Sequence, residues 1–321
     1  MRGLHLESGT FSYREDLPAQ QSGQGETRVR VRLAGVCATD LALAAGYMDF
    51  RGVAGHEFVG VALDGPLAGQ RVVGEINAGC GECADCLRGD PRHCAGRTVL
   101  GILGRSGAFA EELCLPTRNL LAVPDEVTDD AAVFAEPLAA ALQIPAELDL
   151  DGVQRALVIG DGRLGLLCAQ VLLDAGLDVD LAGHHPEHLQ RFPARPRFLP
   201  GVFEPGAPAP PEDWDLVVEA TGKPSLLAGA LAAVRPRGTI VLKTTGSEPA
   251  DLDLAPLVIK EVRLVGSRCG RFLPAIDALR DGRIPAQALI DARYPLARGA
   301  EALAHAARPG VLKILIEIPP V

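Results

Sequence analysis

Aromatic residues are scarce in this 321-residue chain, at 4%, and no run of lysines and arginines occurs. No uncharged apolar stretch approaches the roughly 18 residues of a membrane-spanning helix. With a formal net charge of −10, the electrostatic footprint of a nucleic-acid binder is missing, and a duplex partner is not expected. The opening MRGLHLESGT lacks a basic-then-apolar signal pattern, so the cytoplasm is the expected location and no membrane association is expected. What is present is ordinary for a folded protein: 48% hydrophobic and 22% charged residues, in a chain about twice the size of a typical single domain. Two domains are the expectation.

The first part, from about Val29 to Leu142, reads as short β-like runs broken by glycine, such as VRVRLAG, FVGVAL and QRVVGEI, which predicts an irregular, barrel-like β domain. The pattern then changes. An apolar run from Arg155 to Gly160 leads through a glycine-rich turn into LGLLCAQVLLDAG, a βα unit. Further strands are predicted at 179–183, 215–222 and 238–246, spaced by helical segments such as SLLAGALAAV, and this alternation implies a parallel, doubly wound sheet. The segment Phe192 to Asp213 holds seven prolines and reads as a surface connection. The tail reads as a helix in YPLARGAEALAHAARPG followed by a terminal strand in VLKILIEI, which could return to complete the first domain.

Four of the eight cysteines crowd into GCGECADCLRGDPRHC, at Cys80, Cys83, Cys86 and Cys94. Tight turns at this spacing let neighbouring thiolates face one ion, and four thiolates close a tetrahedral shell with no open position, which is a structural and not a catalytic site. Zinc is the favoured ion. An iron–sulfur cluster or a set of ordinary loop cysteines are the alternatives, and His93 could in principle replace a thiolate.

Upstream, GVCATD carries Cys37 and Asp40, and GHEFVG carries His56 and Glu57. A thiolate, an imidazole and a carboxylate make a three-ligand site that leaves one position for water or a substrate oxygen, and an open zinc site polarises an alcohol. Singly, each residue also has an ordinary reading: Cys37 as a small buried hydrophobe, His56 as a core histidine, Glu57 as a surface charge.

The turn VIGDGRLG places Gly160, Gly162 and Gly165 in a G-x-G-x-x-G pattern, with Arg163 and Leu164 between them, after a strand and before a helix. Glycine permits the turn and lets backbone amides approach a pyrophosphate at the positive helix end. At the end of the second strand, where an acid would bind both ribose hydroxyls of NAD, the chain reads AGHHPEHL. The absence of that carboxylate inclines the reading towards NADP, with His184 or His185 available to its 2′-phosphate. NAD, or both cofactors, is the alternative, with the histidines as turn residues.

Taken in order, GVCATD, AGHE, the cysteine lobe, AEPLAAAL, GDGRLG and the terminal strand resemble the zinc-dependent medium-chain dehydrogenase/reductase family, over almost the whole chain. The resemblance implies an α/β protein: a GroES-like β-barrel catalytic domain, residues 1–142 and 272–321, around a Rossmann doubly wound parallel-sheet domain, 143–271, with the active site in the cleft between them. It implies that Cys37 and His56 bind a catalytic zinc, that Asp40 orients His56, and that Thr39 relays the alcohol proton. Where alcohol-specific members use a cysteine, this chain has Glu136, as in the polyol, glucose and threonine dehydrogenase branch, and Glu57 or Glu136 is the third ligand. The ordinary reading of Glu136 is an acid at a helix entry beside Pro137. Thr221 and Gly222 match the strand end where the ribose and nicotinamide pass; Lys243 to Thr245 and Arg268 are weaker candidates.

The implied activity is hydride transfer between an alcohol or polyol, or its carbonyl product, and NAD(P), in a homodimer or homotetramer. The segment after GHE is shorter than the family pattern, so no particular substrate is carried over. A zinc-free quinone reductase-like member is disfavoured by the residues at 37, 56 and 136. A zinc- and NADP-binding sensor or structural protein without turnover is the alternative from another class.

Overall fold

Side chains of the strand Glu26–Gly35 alternate in burial over its first six residues, with Thr27, Val29 and Val31 inward, the period-two pattern of a sheet with one covered face. This strand is the hub of a seven-stranded sheet. It pairs antiparallel with Glu57–Ala62, with Glu112–Pro116 and with the terminal strand Lys313–Glu317, which in turn pairs parallel with Ile290–Pro295. Arg71–Gly74 and Leu120–Ala122 extend the sheet beyond Glu57–Ala62. An irregularity between Val31 and Leu33 bends the central strand, as bulges do in barrel-like sheets. A smaller sheet joins Thr10–Arg14, Gly3–Glu7 and Gly52–Val53.

The computed structural model describes residues 1–201, 213–245 and 252–320. They form two compact units, residues 1–136, 271–281 and 289–321 in the first, 137–270 and 282–288 in the second. The division falls near Glu136 and not at 142, because the helix Ala135–Glu147 belongs with the second unit for most of its length. The short stretch 282–288 also joins the second unit, where Arg283 pairs with Asp174 and Ile284 and Ala286 are buried.

The second unit is built on six parallel strands in the spatial order Arg197–Pro200, Asp178–Gly183, Arg155–Ile159, Trp214–Glu219, Val234–Leu242, Arg263–Gly266. Numbered along the chain this is 3-2-1-4-5-6, the order of the Rossmann fold, with the topological switch between the third and fourth strands of that list. The two central strands are buried almost throughout, as parallel strands covered on both faces must be. Helix Arg163–Asp174 buries an unbroken run from Gly165 to Leu172.

Two elements depart from the sequence expectation. The connection predicted over 192–213 contains the edge strand Arg197–Pro200; flanking prolines disguise it, yet proline is tolerated at a sheet edge. The rest of that connection, 202–212, lies outside the described residues, as does Gly246 of the predicted fourth strand, which begins at Val234 and ends at Leu242. Among the described residues no helix is long and apolar enough to cross a membrane.

Candidate active site

In the first unit the paired strands Glu26–Gly35 and Glu57–Ala62 bring Gly35 opposite Glu57. Cys37 follows the one and His56 precedes the other, so two motifs distant in sequence flank one point. Cys37 stands in extended conformation at the start of the short helix Ala38–Ala44, whose third residue is Asp40. The Asp40 carboxylate accepts the Cys37 amide at 2.8 Å on Oδ2 and the Gly55 amide at 3.2 Å on Oδ1. Oδ1 also lies 3.4 Å from His56 Nδ1, a charge contact that lacks hydrogen-bond geometry. One carboxylate thus fixes the backbone on both sides of the site and faces the imidazole between them.

Glycine is required on both approaches. Gly55, at φ +93°, is packed so closely on Phe109 that a Cβ would stand 2.6 Å from the ring, and a Cβ on Gly35 would collide with the Glu57 carboxylate. The donor atoms of Cys37, His56 and Glu57 lie within 4.8 Å of one another. Burial alone would lower the proton affinity of His56, but the Asp40 carboxylate and Cys37 outweigh it and raise its pKa well above the ordinary histidine range. The pocket therefore favours positive charge, and its thiolate, imidazole and carboxylate donors suit a divalent ion of the zinc type. Thr39 is half-buried, with its hydroxyl 3.8 Å from the Cys37 sulfur.

Glu57 is wholly buried and ion-paired with Lys313, also wholly buried. The Lys313 ammonium further donates to the Val36 carbonyl at 3.3 Å and stands 5.4 Å from the centre of the Phe134 ring. Glu136, in the first turn of the helix Ala135–Glu147 and partly buried, is not among the three grouped donors. Lys313 escaped the sequence reading because a single cation in VLKILIEI looks like the solvent-facing step of an alternating strand.

The second cluster is the cysteine lobe. Cys80, Cys83, Cys86 and Cys94 bring their sulfurs within 4.8 Å of one another, and Cys80 Sγ and Cys86 Sγ are 4.0 Å apart. Four sulfurs at about 2.3 Å from a central zinc would stand roughly 3.8 Å from each other, whereas a disulfide needs about 2.05 Å. Backbone amides turn inward on the sulfurs: Cys83 N donates to Cys80 Sγ and Cys80 N to Cys94 Sγ, both at 3.4 Å. Amide donation from Glu82 and Cys83 lowers the Cys80 thiol to about 6. At Cys86 amide donation from Gly81 acts the same way, but burial and the crowding thiols prevail and raise it to about 11. His93 is exposed and sits 3.6 Å from Asp90, outside the sulfur group.

In the second unit Gly160, Gly162 and Gly165 lie at the switch point. Gly160 has φ +109°, and a Cβ there would come within 2.8 Å of the Ala220 carbonyl; a Cβ on Gly165 would overlap the Gly160 carbonyl. Gly162 caps the helix that starts at Arg163 and continues through Leu164. A pocket beside this turn is lined by Gly160, Asp161, Gly162, His184, Thr221 and Lys223 among others. Thr221 is fixed by the buried Glu219, which accepts its amide at 2.8 Å and its hydroxyl at 2.5 Å, and Gly222 donates to Thr244 Oγ1 at 2.9 Å. His185 does not line the pocket; its Nδ1 is 3.2 Å from Glu187. Lys243 is buried and directs its ammonium to the Ala140 carbonyl and Ser267, while Arg268 is exposed.

Comparison with known proteins agrees with this geometry. Residues 23–125 match the alcohol dehydrogenase GroES-like domain. The starvation-sensing protein RspB of Escherichia coli K12 is 29% identical over 312 residues, covering 87% of each chain. The glucose 1-dehydrogenase of Metallosphaera sedula is 30% identical over 285 residues, covering 79% of this chain and 78% of its own. The crystal structure of the rspB alcohol dehydrogenase from Escherichia coli CFT073, complexed with NADH, superposes with a TM-score of 0.87 at 27% identity, covering 99% of both chains. A GroES-like first unit, a Rossmann second unit and this degree of likeness over most of the chain place it in one family: the protein is a medium-chain dehydrogenase/reductase of the alcohol dehydrogenase superfamily, and an oxidoreductase.

Proposed function

We propose that the protein is a zinc-dependent, NAD(P)-linked dehydrogenase of alcohols, polyols or sugars, holding one catalytic and one structural zinc. The observation that carries this reading is the convergence of Cys37, His56 and Glu57, with Asp40 bracing both flanks of the site. Cys37 and His56 would hold the catalytic ion, and Glu57, the carboxylate grouped with them, would be the third ligand in place of Glu136. When bound, zinc would supply Lewis acidity towards a substrate oxygen, and the nicotinamide would supply the acceptor or donor of hydride.

The chain's own part is to position and to move a proton. Asp40 Oδ1 faces the imidazole's Nδ1 at 3.4 Å, and Nε2 would be the nitrogen offered to the ion. The Thr39 hydroxyl, beside the Cys37 sulfur, accepts the alcohol proton and passes it outward. In the second unit the amides opening the helix Arg163–Asp174 and the bare turn at Gly160 and Gly162 receive the pyrophosphate, and Thr221 and Gly222 border the cofactor's path. The four-cysteine lobe holds the second zinc with no position for substrate. Relatives named glucose 1-dehydrogenase and L-threonine 3-dehydrogenase make polyols, sugars and hydroxy amino acids the first substrates to try. A homo-oligomer is part of the proposal, supported by the exposed Leu254, Val258, Ile259 and Leu264 beside the outer strand of the parallel sheet.

The test is metal content per chain together with reduction of NAD and NADP over a panel of polyols, sugars and hydroxy amino acids. Two zincs and turnover on any of them support the reading. Two zincs and cofactor binding without turnover on alcohols or aldehydes would move the protein to the sensor class. One zinc or none would sink the catalytic site.

A further inference from the structure

The sequence lacks a carboxylate just after the second strand of the parallel sheet, where His184 stands, yet the structure puts one there from another direction. Asp161, between the first two glycines of the turn, is 7% exposed. Its Oδ2 accepts the backbone amides of His184 at 2.7 Å and His185 at 2.5 Å. The side chain therefore reaches from the glycine turn to the end of Asp178–Gly183 and lies against it. The contact is so close that a Cβ on Gly183 would collide with the Asp161 carboxyl group. Asp161 also lines the pocket shared by Gly160, Gly162, His184 and Thr221.

We propose that Asp161 supplies the ribose-binding carboxylate that the second strand does not, and that it makes this dehydrogenase prefer NAD to NADP. The proposal rests on the reading of this pocket as the nicotinamide-cofactor site. Both amide bonds fall on Oδ2, which anchors the carboxylate and leaves Oδ1 to accept a hydrogen bond from a ribose hydroxyl. A 2′-phosphate in the same place would bring a dianion against a fixed, largely desolvated negative charge, a juxtaposition that selects against the wrong ligand.

Two of the neighbouring histidines are engaged elsewhere. His188 is buried and its Nδ1 meets the Asp161 backbone carbonyl at 3.1 Å. His185 faces Glu187. Lys223, in the loop after the fourth strand, donates its amide to the Thr221 hydroxyl at 3.0 Å and lines the same pocket as Asp161 and Gly183. His184 and Lys223 are the basic groups on the pocket wall with the carboxylate, and the His184 amide is already committed to Asp161.

The experiment is equilibrium binding of NADH and NADPH, followed by cofactor fluorescence, to the wild-type protein and to Asp161→Asn. Asparagine retains a carbonyl oxygen for the two amides and removes the charge, and Asp161→Ser serves if the first variant does not fold. The wild type is expected to bind NADH on the order of tenfold or more tightly than NADPH, and the variant to gain at least that factor for NADPH. A wild type that prefers NADPH, or a ratio unchanged by neutralising Asp161, overturns this proposal and leaves the cofactor site standing. If neither dinucleotide binds the wild type, the reading of the pocket itself falls, and the specificity argument with it.

Discussion

The two donor clusters of the first unit solve the same problem in opposite ways. The cysteine lobe takes all four donors from fifteen consecutive positions, Cys80 to Cys94, on a loop with only a four-residue helix and one short turn of its own. The open site takes its donors from two strand ends and is braced by a third strand, through Lys313. Local donors can close a shell without help from the fold, so the lobe is written in the sequence as a spacing. On the proposed function the open site must keep a coordination position clear, and its donors come from separate elements whose backbones the core holds apart.

If the comparison is right, damage at the two sites should differ in kind. The largest effect is expected for the double variant Cys37→Ala, His56→Ala: one metal per chain is lost and turnover drops on the order of 10³-fold or more, the scale of several kcal/mol of transition-state stabilisation. Unchanged metal content by elemental analysis would remove the open site from the mechanism.

Next comes Lys313→Met, which withdraws the cation facing the buried Glu57. Breaking such a pair costs about 3–5 kcal/mol, read as a lower urea midpoint of the metal-free protein. Adding zinc should narrow the gap, because the ion restores positive charge beside the carboxylate. A gap that zinc does not touch would place Glu57 outside the metal's reach.

Asp40→Asn should weaken metal affinity at the open site by roughly 10–100-fold, measured by competition with a chelator, and leave the lobe's affinity as it was. Equal weakening at both sites would mean a general loosening of the fold. The smallest effect on catalysis is expected from Cys86→Ser. It should release the second metal and lower the melting temperature by roughly 4–8 °C, the shift of about 2 kcal/mol in a domain of this size. Turnover of the protein that remains folded should stay near wild type; a collapse matching the double variant would give the lobe a catalytic part.

The legibility of the molecule follows the same division. Motifs confined to one turn were readable: the lobe's cysteines and the glycines at 160, 162 and 165 announce themselves by spacing. Cys37 and His56 were readable only as a pair. Asp161 was hidden because it occupies a position the glycine pattern leaves variable, and only the packing against Gly183 gives its charge a purpose. Glu57 and Glu136 could not be ranked from spacing, since the register between Glu26–Gly35 and Glu57–Ala62 decides which carboxylate faces Cys37. The edge strand Arg197–Pro200 was lost among prolines, whose backbone restrictions signal a loop unless a neighbouring strand is known to be there.

The ion pair of Lys313 with Glu57 spans 256 positions of the chain, and this bears on how the protein is made. As synthesis proceeds, the second unit, 137–270 with 282–288, can emerge and fold while the first unit still lacks the strand that completes its sheet. Until Lys313–Glu317 leaves the ribosome, the strand end at Gly35 has no neighbour on that side and the Glu57 carboxylate no ammonium. Completion of the Cys37, His56 and Glu57 cluster therefore waits on Lys313, and a nascent chain stalled before it would carry a finished second unit beside a first unit without its Glu57 partner.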